Sequence, residues 1–282
     1  MEEQSQHAIQ EALRAVSFLK LNSPFAVGSF EGGRTGVRSG GAMEFADYRP
    51  YRAGDELRRI DWQLYARSEQ LNVRRYALET DPRCDILLDC TASMSVQQKN
   101  AAAAGLGAIF AQSALNGGFS LQVWTLGDEL NKVENPEEPL LWQLPDCDSA
   151  KDLSEVLLRE EKGFFRNGLR IFISDLLFET PPETVLKSLG GTGCVLIQIL
   201  GNAELAPELS GEITLQDPES GRTKSLSVDE KSLQRYKEKL HAFQARWADG
   251  ARKFNSCIFF LNASEVLESW DMEPFCREGV LK

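Results

Sequence analysis

The sequence predicts an α/β fold: a doubly wound, mainly parallel sheet preceded by an Arg-rich amino-terminal region with short strands. Two observations carry that prediction. From Cys84 onward, short apolar runs alternate with amphipathic or Ala-rich stretches, and the runs CDILLD, LRIFIS and CVLIQIL are continuously apolar rather than alternating in polarity. Continuous apolar strands belong to sheets covered on both faces, and strands that alternate with helices make such sheets parallel. The chain of 282 residues, 42% hydrophobic and 26% charged, is long enough to bury that core without disulfides or a structural metal.

Each element has a local reason. CDILLD ends at Asp89, and Ser95 to Leu115, rich in Ala and Gln, reads as a helix closed by Asn116-Gly117-Gly118. FSLQVWTLG is the second strand. An irregular, Pro-bearing stretch, NPEEPLLWQLPDCD, leads to a helix from Ser149 to Glu161. LRIFIS is a third strand that runs into Asp175, Pro181 to Leu189 is a short helix opened by two prolines, and CVLIQIL is the fourth strand. GEITLQDPESGRTKSLSV reads as a hairpin about Pro-Glu-Ser-Gly, and Asp229 to Phe254 as a long amphipathic helix. SCIFFLN is the last strand and leads into Ala263 to Ser269. The predicted division is a helix over 1–24, an Arg and aromatic region over 25–83 on or beside the main domain, the α/β domain over 84–270, and a tail over 271–282.

Charge narrows the function classes. The net charge is -11, distributed as -2 over residues 1–33, +2 over 34–83 and -11 over 84–282. Neutralising phosphates needs a clustered cationic excess, and in the middle segment ten Arg are nearly cancelled by eight acids, which argues against nucleic-acid binding. The amino terminus is acidic where a secretory signal is basic, and the longest apolar run, Ala101 to Ala111, is far short of the roughly 20 residues of a membrane-spanning helix. A cytoplasmic protein is expected. The six cysteines are scattered, with no CxxC, so buried reduced thiols are expected rather than zinc or disulfides. The only histidines, His7 and His241, lie outside every motif-like segment, which disfavours Ser-His or Cys-His catalysis.

Ligands of doubly wound sheets sit beyond the carboxyl ends of the strands. There the first strand runs into Asp89-Cys90-Thr91-Ala92-Ser93-Met94 and the third into Ser174-Asp175. Two carboxylates and the hydroxyls of Thr91 and Ser93 form a hard-oxygen set of the kind that suits Mg²⁺. The competing reading is that Thr91 or Ser93 caps the next helix while Asp89 satisfies loop amides.

Asp89 to Met94 resembles the metal-ion-dependent adhesion site of von Willebrand factor A domains, DxSxS, with Thr91 replacing a Ser and Asp175 matching the distal acid. Ser149 is the hydroxyl candidate for that site's intermediate Thr, and Asp148 a substitute. The preceding segment narrows the resemblance. Gly40-Gly41, Glu44-Phe45, Arg49-Pro50-Tyr51, Gly54-Asp55, Arg58, Ile60-Asp61-Trp62 and Ala66-Arg67 keep spacings similar to those of domain-of-unknown-function family 58, bacterial proteins with a von Willebrand A-like domain. The likeness covers most of residues 25–270. It implies a Rossmann-type von Willebrand A-like fold, Mg²⁺ as cofactor, and a protein partner, an AAA+ ATPase of the MoxR type, with which such members act as adaptors in assembling or activating other complexes.

From the residues themselves, Asp55, Arg58, Asp61 and Arg67 are close enough in sequence to form one charge-paired cluster around Trp62, and the resemblance adds Arg49 and Tyr51 to the candidate set. It either clamps this region in place or presents arginines to an acidic partner. The expected function is a non-enzymatic interaction module with no catalytic residue, docking through a Mg-bridged carboxylate. The alternative is a Mg-dependent phosphoryl-transfer enzyme, phosphatase or receiver-like; Thr91 stands where a phosphatase needs a second acid, and CVLIQILGN supplies no strand-end Lys for a receiver. No glycine-rich phosphate loop is present, so ATP use belongs to the partner.

Overall fold

The computed structural model describes residues 2–16, 18–22, 43–52, 55, 60–78, 82–149, 153–159, 163–165, 167–178 and 180–282. Arg58, Gly40, Gly41 and Gly54 therefore lie outside the described residues. The chain divides into two compact units, residues 28–81 and residues 1–27 with 82–282.

Helix α1 (Glu2–Ala15) opens the larger unit and buries Ala8, Ile9 and Ala12, an i, i+4 stripe with its neighbour. The smaller unit contains strand β1 (Met43–Pro50), helix α2 (Trp62–Ser68) and strand β2 (Asn72–Leu78). The two strands pair antiparallel from Met43 opposite Leu78 to Pro50 opposite Asn72, with a register shift between Phe45 and Asp47. Such a shift adds twist to a two-stranded ribbon.

The larger unit continues with β3 (Arg83–Asp89), a 3₁₀ segment (Ala92–Gln98), α3 (Lys99–Asn116), β4 (Ser120–Leu126), β5 (Leu130–Lys132), α4 (Leu153–Arg159) and β6 (Leu169–Ser174). Then come α5 (Pro182–Leu189), β7 (Gly193–Leu200), α6 (Asn202–Leu205), β8 (Gly211–Gln216), β9 (Thr223–Val228), α7 (Glu230–Lys253), β10 (Cys257–Asn262), α8 (Ala263–Ser269) and α9 (Glu273–Arg277). The central sheet has the order β10-β7-β6-β3-β4-β5. Its first five strands are mutually parallel and β5 is an antiparallel edge. The three-residue LNK of β5 is too short to have been legible as a strand.

Successive residues of each central strand serve opposite faces. Ile86, Leu88, Ile171, Ile173, Val195 and Ile197 join a core with α1, α3, α8 and α9, while Leu87, Phe172 and Leu196 join a second core with α4, α5 and α7. Fourteen of the 18 residues of α3 are buried, so this helix is apolar all round because it is covered all round. Gly105 makes that possible: a Cβ there would lie 2.1 Å from the indole ring of Trp270.

The helix expected from Ser95 instead begins at Lys99, because Gln97 and Gln98 both adopt left-handed backbone (φ 54° and 58°) and break the helical path after the 3₁₀ segment. The tail is tied in: Lys20 and Lys282 exchange backbone hydrogen bonds of 2.9 Å, and buried Phe275 meets Phe110 edge-on. The cysteine expectation needs correction. All six are free, yet only Cys84, Cys90, Cys147 and Cys194 are buried, while Cys257 is half-buried and Cys276 exposed, because β10 is an edge strand and α9 lies at the surface. Among the described residues, no helix is long and apolar enough to cross a membrane.

Candidate functional site

Because β3 and β6 are neighbours in parallel register, their carboxyl ends bring Asp89 beside Ser174 and Asp175. Ser174 Oγ donates to Asp89 Oδ2 at 2.6 Å. The other oxygen, Oδ1, accepts from the amide and the hydroxyl of Thr91 at 2.8 and 2.7 Å, and Thr91 Oγ1 lies 3.0 Å from Ser93 Oγ. Thr91 also pairs with Ser149 across an isolated parallel bridge in which Ala92 N donates to the Ser149 carbonyl. Asp89, Thr91, Ser93, Ser149 and Asp175 are thus neighbours in the fold.

Their functional atoms are committed differently from the sequence expectation. Lys99, with 0% side-chain exposure, donates from Nζ to Asp175 Oδ2 at 2.9 Å and to Glu204 Oε1 at 2.7 Å. Asp175 Oδ1 accepts from Leu177 N. The Ser149 hydroxyl donates to Asp128 Oδ1 at 2.8 Å, and Asp148 is exposed. Glu204 Oε2 accepts from Gly201 N at 2.7 Å, so it is held at both oxygens.

Burial and then the charge of Asp175 push the Asp89 carboxyl up to about 7, against the pull of the Ser174 and Thr91 hydrogen bonds. Burial draws the Lys99 ammonium down, but the carboxylates of Asp175 and Glu204 outweigh it and hold it above its ordinary value. A buried carboxyl near neutrality, beside the like charge of Asp175, can hold a proton. To act as a phosphoryl acceptor, however, Asp89 would have to be reached, and it is 2% exposed with both oxygens hydrogen-bonded. The cleft beside it, lined by Ser5, Gln6, Asn100, Trp142 and Cys147, encloses about 20 Å³, room for a water rather than a substrate.

Magnesium needs several unencumbered oxygens in near-octahedral array. The predicted donors do not fit it as a set: an ammonium stands on Asp175, and the Ser149 hydroxyl is turned to Asp128. Among the described residues, no group of three or more His, Cys, Asp or Glu is placed to hold a metal.

In the smaller unit, Arg49 grips Asp55 with two bonds of 2.7 Å, and Arg52 N adds a third at 2.8 Å. These hold the Asp55 carboxyl down at about 2. Asp61, 4% exposed, caps α2 through Gln63 N and Leu64 N and accepts from Tyr48 Oη at 2.8 Å. Tyr51 N donates to Leu71 O, fixing the chain where β1 ends. Trp62, expected at the centre of a charged cluster, is 56% exposed and meets Tyr65 edge-on, and Arg67 is exposed in the last turn of α2. Among the described residues, Asp55 gathers Arg49 and Arg52 N, Asp61 gathers Tyr48 and the first amides of α2, and Trp62, the first residue of α2, is carried outward.

Sequence reasoning missed Lys99, Glu204 and Gln97, and it named Ser174 at the strand end without giving it a role. The available signal was a lone Lys opening an otherwise apolar helix, and an acid two residues after GN at the end of CVLIQIL.

Residues 47–246 match the family model described as protein of unknown function DUF58. The chain belongs to the DUF58 family. Uncharacterized proteins of Mycobacterium bovis and Mycobacterium tuberculosis are each 25% identical to this DUF58 chain over 252 residues, covering 82% of it and 77% of their own length. Among solved structures, the conserved hypothetical protein BatB of Bacteroides thetaiotaomicron aligns with a TM-score of 0.35 at 9% identity, over 70% of this chain and 98% of that one. An aerotolerance-related membrane protein of Bacteroides fragilis aligns with a TM-score of 0.35 at 12% identity, over 67% and 96%.

Proposed function

We propose that this DUF58 chain is a non-catalytic protein-interaction module that works with an AAA+ ATPase of the MoxR type in assembling or activating other complexes. The partner class comes from the family resemblance. The observation that carries the non-catalytic reading is the saturation of the strand-end chemistry: Asp89, Asp175, Lys99 and Glu204 are all engaged with one another or with hydroxyls and amides. Such a site sets the shape of loops instead of turning over a substrate. Apolar side chains stand exposed close by, Val96 at 36% and Leu177 at 48%, three and two residues from Lys99 and Asp175. Exposed apolar groups on loops fixed from beneath are suited to a partner surface. Magnesium bridging is left out of the reading, since Lys99 holds the distal carboxylate.

The test is biolayer interferometry of the immobilised chain against a purified MoxR-type ATPase from the same organism, in its ATP and ADP states. Association is expected in one nucleotide state, weakened about tenfold or more by Val96→Asp or Leu177→Asp without change in thermal stability. Absence of association in both states, or indifference to both substitutions, overturns the proposal.

A further inference from the structure

We infer that Lys99 is a tethered cation that takes the electrostatic place of a divalent metal at the carboxyl edge of the sheet, so that this edge keeps its form without one. The inference goes beyond the partner reading and does not depend on it.

The position of Lys99 is built. Residues with side chains rarely adopt left-handed backbone, yet Gln97 and Gln98 do so in succession, immediately before the lysine. A third such residue, buried Leu176 (φ 56°), follows Asp175 directly. Backbone strain of this kind persists only where surrounding contacts over-determine it. Those contacts are present. Gln97 Oε1 accepts from Ala203 N at 2.9 Å, and Gly201 is required beneath it, since a Cβ there would lie 2.4 Å from that same oxygen. Leu176 N donates to Ser174 Oγ and Leu177 N to Asp175 Oδ1. Gly201 N and Lys99 Nζ share the Glu204 carboxylate, and Tyr236 Oη donates to the Glu204 carbonyl at 2.6 Å.

One ammonium thereby joins the start of α3, the residue after β6 and the short helix α6 that follows β7. This is the cross-linking a metal performs when it draws carboxylates from separate strands together. A divalent ion exchanges with the buffer and can be chelated, whereas a lysine with 0% side-chain exposure can do neither. A second cation beside it would face a fixed like charge. Without the lysine, Asp175 Oδ2 and Glu204 Oε1, which the one ammonium draws together, would face each other with no counter-charge, an opening for a divalent ion.

The test uses the full chain in three forms: wild type, Lys99→Gln and Asp175→Asn. Binding of Mn²⁺ is read from the loss of the free-ion electron paramagnetic resonance signal, and Tm is followed in chelator and in excess Mg²⁺. Wild type is expected to bind no stoichiometric Mn²⁺ and to keep one Tm in both conditions. Lys99→Gln is expected to melt lower in chelator, to bind Mn²⁺, and to recover part of its Tm with Mg²⁺. Stoichiometric Mn²⁺ binding by wild type that Asp175→Asn removes overturns the inference, as does a Lys99→Gln variant that is as stable as wild type or that is destabilised yet indifferent to both ions. If Lys99→Gln does not fold, the wild-type measurement decides: an unmoved Tm and no binding uphold the inference, and binding overturns it.

Discussion

Replacing Arg170 with Met should be among the most damaging single changes in the central sheet. Arg170 and Asp85 lie on the adjacent strands β6 and β3 and are 2% and 0% exposed. Arg170 Nη1 donates to Asp85 Oδ2 at 2.7 Å, and the same carboxylate accepts from Trp124 Nε1 at 3.0 Å and Phe165 N at 3.1 Å. Burial raises the Asp85 carboxyl and lowers the Arg170 guanidinium, the direction expected of two charges taken out of water. Breaking such a pair from one side leaves an uncompensated charge and costs about 3–5 kcal/mol. At about 2–4 °C per kcal/mol for a chain of this size, Tm should fall by roughly 6–20 °C. Converting the stranded carboxylate to an amide should restore part of the loss. The neutral amide strands no charge, but its single oxygen serves only one of the two positions at which the carboxylate accepts, Trp124 Nε1 at Oδ1 and Phe165 N at Oδ2. Guanidinium melts of wild type, Arg170→Met and Asp85→Asn/Arg170→Met read this directly. With its cation gone, Asp85 is raised further, so the folded single variant takes up a proton and its deficit shrinks as pH falls. The reasoning fails if Arg170→Met lies within about 1 kcal/mol of wild type, or if the double variant is less stable than the single.

Asp89 gives a pH dependence of defined sign. Its carboxyl rises from 3.8 to about 7, so across that window the folded chain binds the proton that the unfolded chain releases. Its contribution to stability therefore falls as pH rises and is most unfavourable above pH 7, by about 4 kcal/mol at 1.4 kcal/mol per pH unit. Denaturant melts of Asp89→Asn against wild type between about pH 4 and pH 8 should show the variant gaining on wild type as pH rises; parallel curves would refute the assignment. Gly105→Ala, which raises helix propensity, should nonetheless destabilise by about 1–3 kcal/mol because the new methyl meets the Trp270 ring, and a higher Tm would contradict the packing. Asp61→Ala removes the cap of α2 and the acceptor of Tyr48 and should cost about 1–2 kcal/mol, whereas Asp61→Asn should retain most of the cap; equal effects from both would show that capping is not what matters.

What the sequence made legible, and what it hid, follows from the range of the interactions involved. The central strands were readable because burial on both faces leaves a continuous apolar run whatever the neighbouring strands are, and Asp89 and Asp175 were readable because polar residues that end such runs fall at the sheet's edge. Asp61 was readable as a partnered acid, but its capping of α2 turns Trp62 outward, which spacing alone does not reveal. Lys99 was hidden by a different cause. Locally, Ser95 to Leu115 favours an unbroken helix, since Gln is an ordinary helix former. The break at Gln97 and Gln98 is held by Ala203 and Gly201, more than a hundred positions away, and no window of neighbouring residues contains that information. One physical clue was nonetheless present. A lysine that opens a helix of AAAAGLGAIFA composition has no aqueous face on which to keep its charge, so it must find carboxylates in the interior. The acids that end β3 and β6 and the acid that follows β7 are where a parallel sheet would supply them. Once α3 is placed against β3, the acids offered for a metal and the lysine left without solvent answer each other. The strained residues on either side are then the local cost of bringing them together.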